Sequence, residues 1–254
     1  MDENSSFLSG ASLGPRMIMD AFRSDASNMF SENGLDCGNP NNITELGVME
    51  LSTEASAMDS IRKTIQKELN RGQKVISLGG DHSITFPIIQ AYHEQYTNLN
   101  ILHFDAHPDL YHNFEDNTFS HASPFARLME NGLVKRLVQV GIRTLNDHQK
   151  EQVKRFGVEV IEMKDFDPSL SFIFKGPVYI SIDLDGLDPA YAPGVSHLEP
   201  GGLSTRELIT TIHQINGQVV GGDIVEYNPN RDINDMTAFV GAKLMKELIG
   251  KIST

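Results

Sequence analysis

The stretch LNILHFDAHPD (residues 99–109) joins a short apolar run to a cluster of carboxylates and a histidine. Two more apolar runs lead into polar clusters in the same way, Val75–Leu78 into GGDHS (residues 79–83) and Val178–Ile182 into DLDGLDP (residues 183–189). Continuous apolar runs of this length are typical of strands that are buried on both faces of a parallel sheet. We therefore predict three buried strands whose carboxyl ends each carry chemically active side chains.

The rest of the chain alternates between similar apolar runs and amphipathic stretches. Further strands are predicted at Leu137–Val140, Val158–Ile161 and Val219–Ile224. Helices are predicted at Thr53–Gly72, Ile84–Tyr96, Pro124–Glu130, Asp147–Phe156, Thr205–Gln214 and a last segment with Val240, Leu244 and Leu248. This order predicts an α/β fold, a three-layer α/β/α sandwich with a mostly parallel central sheet. Ligands of such folds bind beyond the carboxyl ends of the strands.

Length, charge and cysteine content limit the classes of protein that fit. A chain of 254 residues is long enough for one well-buried α/β domain, so we treat residues 1–254 as a single domain. A net charge of −13 repels phosphate backbones and anionic membrane surfaces, and we expect neither nucleic acid nor a membrane as a partner. Cys37 is the only cysteine, and the first residues lack the features of a signal peptide, which favours a cytoplasmic location.

The three polar clusters have the composition of a metal site. Side chains alternate faces along an extended backbone, so Asp105, His107 and Asp109 can point the same way, as can Asp183 and Asp185. Carboxylates gathered at the end of an apolar sheet repel one another unless a cation neutralises them. These four carboxylates are oxygen donors, and together with the imidazoles of His82 and His107 they favour manganese or magnesium over a thiolate-type zinc or iron–sulfur site. Six ligands are too many for one catalytic ion, which indicates two ions that share a bridging carboxylate.

Each cluster also has a plain structural interpretation. An isolated Asp-x-Asp after a strand is more often a helix cap or a turn than a metal site. Because all three clusters lie at strand ends of one α/β chain, a shared metal centre is the stronger hypothesis. For the other histidines, we expect His103 in the core and His93 and His148 on solvated helix faces, and we leave His112, His197 and His213 unassigned.

The chain resembles the ureohydrolase family of arginases and agmatinases, from Asn4-Ser5-Ser6-Phe7 to the last helix. The family's three metal motifs are present as GGDHS, DAHPD and SIDLDGLDP, at residues 79–83, 105–109 and 181–189. The resemblance implies two Mn²⁺ ions per chain. It assigns one ion to His82 and Asp109 and the other to His107 and Asp185, with Asp105 and Asp183 bridging both. It also implies a homo-oligomer, a trimer or a hexamer.

The resemblance further assigns the residues that act on the substrate. Glu226 matches the glutamate that pairs with the substrate guanidinium, and a carboxylate is a suitable bidentate partner for that planar cation. His121 matches the histidine that contacts the substrate and shuttles protons at the mouth of the site. Asp109 is expected to orient the nucleophile, and Asn117 and Ser120 are expected to reach a substrate carboxylate.

The implied reaction is manganese-dependent hydrolysis of a guanidino C–N bond, with release of urea from a small cationic substrate. Residues 105–141 are most similar to plant arginases, which favours arginine, whereas DGLDP at residues 185–189 is more like bacterial agmatinases. Together with the absence of a transit peptide, this slightly favours agmatine, and guanidinobutyrate is a further candidate. Two other classes stay open, a single-zinc amidohydrolase of the related deacetylase type and an inactive metal-binding regulatory subunit.

The start of the chain departs from the family pattern. Family members usually open with a β-strand before the Asn-Ser-Ser-Phe segment, whereas Met1 here stands where that strand should already have ended. We therefore expect the domain to lack the family's first β-strand and to leave a sheet edge or a neighbouring strand exposed. The predicted metal ligands are unaffected by this difference.

Overall fold

A parallel sheet of six strands is the framework of residues 1–51 and 55–254, the part of the chain that the computed structural model describes. The strands are β1 (Val75–Leu78), β2 (Asn100–Phe104), β3 (Arg136–Ile142), β4 (Glu159–Glu162), β5 (Ile173–Asp183) and β6 (Asn216–Val225). They lie in the order β1-β6-β5-β2-β3-β4, and each neighbouring pair is parallel. The predicted α/β class with a parallel central sheet is confirmed.

Helices cover both faces of this sheet. They are α1 (Gly14–Phe22), α2 (Ala55–Leu69), α3 (Thr85–Gln95), α4 (Pro124–Glu130), α5 (Asp147–Phe156), α6 (Thr205–His213) and α7 (Met236–Ile252). Helices α1, α6 and α7 pack on the face that carries Leu102 and Ile180. Helices α2 to α5 pack on the opposite face, which carries Ile101 and Tyr179. The result is the predicted three-layer sandwich, in which alternate strand residues enter separate cores.

The structure differs from the predicted elements at several points. Between β4 and β5 the described chain contains only a short 3-10 turn, Met163–Asp165, so the strict alternation of strand and helix is broken there. Helix α1 was not predicted, because its start at Gly14-Pro15 is typical of a loop, although proline is well tolerated in the first turn of a helix. The start predicted for helix α2, at Thr53, lies outside the described residues.

Burial is uneven across the sheet. Every residue of β2 is buried, whereas the residues of β1 are only half-buried and Glu159 of β4 is exposed. The expectation that continuous apolar runs form strands buried on both faces is therefore wrong for β1 and β4, which form the two edges. Whether one domain spans residues 1–254 and lacks a first strand stays a prediction. Within residues 1–51 and 55–254, no helix has the length and apolar character needed to cross a membrane.

Two isoleucines of β5 provide a matched test of the core. Ile180 is fully buried, whereas Ile173, at the start of the same strand, is 64% exposed. Ile180→Ala should lower the free energy of unfolding by about 2–5 kcal/mol, because it leaves a cavity in a packed core. Ile173→Ala should cost less than about 0.5 kcal/mol. Urea unfolding of both variants gives the comparison, and equal losses would contradict this assignment of the core.

Candidate metal centre

Four neighbouring strands end at the same edge of the sheet and place polar residues there. The motifs at residues 79–83 and 105–109 follow β1 and β2, the third motif begins at the end of β5, and Glu226 follows β6. Since β1, β6, β5 and β2 are consecutive in the sheet, these segments meet. A glycine is required at Gly186, because a Cβ there would lie 2.8 Å from the backbone nitrogen of Asp105. The second and third motifs are therefore in direct contact.

His82 is surrounded by three of the predicted carboxylate ligands. Its Nδ1 atom lies 3.2 Å from Oδ2 of Asp105, 3.1 Å from Oδ2 of Asp109 and 3.2 Å from Oδ2 of Asp183. All four side chains are nearly or completely buried. One imidazole nitrogen and three carboxylate oxygens thus converge on one small volume.

The other ring nitrogen of His82 determines what its Nδ1 atom can do. Nε2 donates to Oγ of Ser181 at 3.0 Å, and that hydroxyl donates in turn to Oδ1 of Asp223 at 2.7 Å. With the proton on Nε2, Nδ1 presents a lone pair to the carboxylates, and it has no hydrogen-bond partner. A buried lone pair that faces three carboxylate oxygens is unfavourable unless a proton or a metal cation lies between them. The residues present therefore fit a metal ion.

His107 and Asp185 form the second half of the cluster. Nδ1 of His107 lies 3.0 Å from Oδ2 of Asp185 and 3.4 Å from Oδ1 of Asp105. Asp105 therefore contacts His82 through Oδ2 and His107 through Oδ1, which is the position expected of a bridging ligand. The structure brings all six predicted metal ligands together. Their individual roles as ligands stay a prediction.

The pKa values show the repulsion among these groups. Burial raises the pKa of Asp183 well above its usual range, and Asp185 and Asp105 raise it further. Burial and the charge of Asp105 raise the pKa of Asp109 to about 6. Burial lowers the pKa of His82, but the three carboxylates that face its Nδ1 atom outweigh burial and leave the pKa well above its usual value. Protons therefore compete for the positions that a metal ion would neutralise.

His121 and Glu226 form a buried pair beside the carboxylates. Nδ1 of His121 lies 2.9 Å from Oε1 of Glu226, and Nε2 lies 2.8 Å from Oγ of Ser6. Burial lowers the pKa of His121, but Glu226 outweighs it and raises the pKa to about 9. Burial raises the pKa of Glu226, yet His121 holds it below its usual value. The two side chains are therefore an ion pair in the substrate-free chain.

Comparison with known proteins shows which family the chain belongs to. A model of the arginase family matches residues 1–250. The chain belongs to the arginase family. Arginase 1, mitochondrial, of Arabidopsis thaliana is 44% identical over 100% of this chain and 79% of its own length. The structure of arginase from Medicago truncatula has a TM-score of 0.95 and 43% identity, with 99% of this chain and 85% of that chain covered.

A more distant relative belongs to the other branch of the family. The agmatinase of Bacillus subtilis is 32% identical, with 76% of this chain and 69% of its own length covered. The family resemblance stated from the motifs is confirmed by these matches. This member of the arginase family is a ureohydrolase, an enzyme that acts on guanidino C–N bonds.

Two residues with predicted catalytic roles have unusual backbone conformations. Asp109 has φ 49° and Glu226 has φ 63°, in the left-handed region that residues other than glycine rarely adopt. Such conformations cost energy and persist where the surrounding structure holds them, often at functional sites. At Glu226, the backbone nitrogen donates to the carbonyl of Gly80 at 2.8 Å, and the carboxylate accepts from the backbone nitrogen of His82 at 2.9 Å. Glu226 is thus fixed against the first metal motif of the arginase-family chain.

The two residues predicted to reach a substrate carboxylate are engaged within the protein. The amide of Asn117 donates to Oδ1 of Asn4 and accepts from the backbone nitrogen of Phe119. Ser120 is buried, and its hydroxyl accepts from the backbone nitrogen of Ala122. These contacts shape the loop that carries His121. A role in substrate binding stays a prediction for both residues.

Sequence reasoning assigned no role to several residues of this arginase-family site. Ser181 holds His82, and Ser6 contacts His121. The ring of His197, left unassigned, lies 5.5 Å from that of His121 and 5.6 Å from that of His107. Ser181 lies two residues before Asp183 and therefore on the same strand face, a signal that was available in the sequence. The contacts of Ser6 and His197 join distant segments, and no local pattern indicates them.

Removal of Asp183 tests the cluster as a metal centre. Asp183→Ala should abolish binding of divalent metal, because it removes a carboxylate that faces the lone pair of His82. The measurement is the metal content of the purified variant after manganese loading and gel filtration, with the exposed Asp167→Ala as control. Wild-type metal content in Asp183→Ala would contradict the assignment.

The pair His121 and Glu226 predicts a pH dependence of stability for the metal-free protein. The folded-state pKa of His121, about 9, lies above the usual 6.5. The contribution of the pair is therefore complete below the usual pKa of histidine and is lost as the pH rises through the folded-state pKa. In a chelating buffer, His121→Asn should melt below the wild type at pH about 6 and close to it at pH about 10. Thermal unfolding across this range checks the prediction, and a gap that does not change with pH argues against it.

Proposed function

We propose that this ureohydrolase is a manganese-dependent arginase, which hydrolyses arginine to ornithine and urea. The observation that carries the chemistry is the lone pair of His82, which faces three carboxylates beside the pair of His121 and Glu226. Arginine is chosen because relatives with 41–44% identity, from Arabidopsis thaliana to Glycine max, are named arginases. The agmatinase relative has 32% identity. The preference for agmatine drawn from DGLDP is therefore not supported and is replaced.

Six side chains would hold the metal pair, namely His82, Asp105, His107, Asp109, Asp183 and Asp185. Bound manganese would supply the Lewis acidity that makes a water molecule nucleophilic near neutral pH. The remaining tasks fall to the chain's own residues. Asp109 can accept a hydrogen bond from the attacking water and orient it.

Glu226 provides the site for the substrate cation. A guanidinium is planar and presents paired N–H donors, which suit a carboxylate that is already ionised and fixed. The pKa of Glu226 lies below its usual value, so this carboxylate is charged before substrate arrives. An incoming guanidinium would compete with His121 for Oε1 of Glu226. Substrate binding is thereby coupled to the release of the imidazole.

His121 is the proton donor of the proposed reaction. In the metal-free chain, Glu226 raises the pKa of His121 to about 9, so the imidazole there carries a proton near neutral pH. Once a guanidinium takes the carboxylate of Glu226, the proton on Nδ1 is no longer held by its partner. It can then move to the leaving amine, which must be protonated before it departs.

Urea release is the measurement that tests this proposal. The purified protein is loaded with manganese and assayed on arginine, agmatine and guanidinobutyrate, with a chelated sample in parallel. We expect metal-dependent urea from arginine, with kcat/KM at least about tenfold above that for agmatine. Urea from agmatine alone would overturn the choice of substrate. No urea from a chain that carries two metals favours the inactive subunit, and a single bound zinc favours the amidohydrolase.

A single substitution separates guanidinium recognition from metal binding. Glu226→Gln keeps the shape of the side chain but removes the charge, so kcat/KM for arginine should fall on the order of 100-fold. The metal content should not change, because this residue is outside the proposed ligand set. The exposed Glu159→Gln serves as control and should leave kcat/KM unaltered.

A cytoplasmic location and a homo-oligomer remain proposals for this chain.

A further inference from the structure

A chain of buried polar groups lies beneath the proposed metal centre and includes residues outside the proposed ligand set. Nε2 of His103 lies 2.8 Å from Oδ2 of Asp105, and Nδ1 of His103 lies 3.0 Å from Nε2 of Gln139. The same amide nitrogen donates to the carbonyl of Pro108 at 2.7 Å. His103, Asp105 and Gln139 are each 0% exposed. His103 is therefore hydrogen-bonded to both Asp105 and Gln139 in a region that solvent does not reach.

The carbonyl group of Pro108 determines which atom donates and which accepts in each hydrogen bond that joins Gln139, His103 and Asp105. The carbonyl of Pro108 can only accept, so the amide group of Gln139 must present its nitrogen to Pro108 and, with it, to His103. An amide nitrogen donates, and Nδ1 of His103 must therefore accept through its lone pair. A second ring proton on Nδ1 would point at the amide nitrogen. The single proton of the ring is left on Nε2, where it is donated to Asp105.

This direction excludes His103 as a metal ligand in the observed arrangement. His82, His103 and Asp105 lie close enough together to form a group that could hold an ion. A histidine ligates through a lone pair, however, and the lone pair of His103 is already used by Gln139. Its other nitrogen carries the proton that Asp105 accepts. His103 instead donates a hydrogen bond to Asp105, which is a proposed ligand.

The fold places these groups together through strand register. His103 of β2 is paired directly with Gln139 of β3, so their side chains are neighbours on one face of the sheet. Asp105 follows His103 by two residues and extends from the same face. The ring of Phe125 from α4 packs on His103, with the ring centres 4.0 Å apart. The imidazole is consequently held on one side by packing and at both nitrogens by hydrogen bonds.

We propose that His103, oriented by Gln139, is a positioning residue that fixes the carboxylate of Asp105 between the two halves of the metal centre. This inference rests on the proposed metal centre. Asp105 contacts His82 through one oxygen and His107 through the other, so a rotation of its carboxylate would alter both halves at once. Groups that orient a ligand in this way typically contribute about 10–100-fold to metal affinity.

The test compares variants that remove or retain the donor at Nε2. His103→Leu removes it, whereas His103→Gln places an amide donor near the position of Nε2. Gln139→Met removes the group that sets the direction of the ring proton. His93→Leu controls for the loss of an imidazole. His93 is a half-buried histidine of α3 whose ring contacts the carbonyl of Leu133 and has no hydrogen bond to the metal centre. Manganese affinity is measured by competition with a chelator, and the spin coupling between two bound ions by electron paramagnetic resonance.

We expect His103→Leu to bind both manganese ions at saturation, with an affinity about 10–100-fold lower and an altered spin coupling. His103→Gln should recover most of the affinity, Gln139→Met should weaken it in the same direction, and His93→Leu should match the wild type. Saturation of His103→Leu with one ion would overturn the inference, since it would make His103 a ligand. Unchanged affinity would also overturn it.

The remaining outcomes also decide the question. If His103→Leu does not fold, the ranking of His103→Gln above Gln139→Met in affinity carries the test, and the reverse ranking argues against the proposal. If the wild type binds no divalent metal, the proposed function fails together with this inference. If the wild type binds two ions and every variant matches it, only the inference fails.

Discussion

The repulsion among four buried carboxylates is the constraint on which the rest of this structure depends. Asp105, Asp109, Asp183 and Asp185 lie at one edge of an apolar sheet, where water does not screen their charges. Burial and mutual repulsion raise the pKa of Asp183 well above its usual range, so the cluster is stable only when protons or cations neutralise it. The surrounding polar residues orient both the lone pair of His82 and the carboxylate of Asp105.

Two supporting chains produce that arrangement. Asp223 accepts hydrogen bonds from the hydroxyls of Ser181, Thr85 and Tyr179, which leaves the oxygen of Ser181 free to accept from His82. Behind the carboxylates, the proposed role of His103 is the converse, since it donates a proton to a ligand. Apart from Thr85, the groups that hold His82 and Asp105 lie on interior strands, whose backbones are fixed by pairing on both sides. A site built this way is preorganised, and a bound cation need not reorder it.

The substrate side of the site has a different design. His121 and Glu226 come from loops, and in the substrate-free chain each neutralises the other. In the proposed reaction, a cationic substrate replaces the imidazole at Glu226, and the proton of His121 passes to the leaving amine when the C–N bond breaks. Family membership establishes a ureohydrolase, and the choice of arginine rests on relatives that are named arginases. The loop with Asn117 and Ser120 is held by hydrogen bonds within the loop and by the hydrogen bond from Asn117 to Asn4.

By itself the sequence determined the fold class and the strands that carry the motifs, because apolar runs and the alternation of side chains are local properties, while its resemblance to the arginase family assigned the six candidate metal ligands. It did not determine helix α1 or the half-buried edges of the sheet, which depend on neighbours distant along the chain. Only the tertiary structure decided that β1, β6, β5 and β2 lie side by side and bring the motifs into contact. The partners of His82, His103 and His121 were likewise decided there, since a hydrogen bond between strands depends on register and on how neighbouring loops pack.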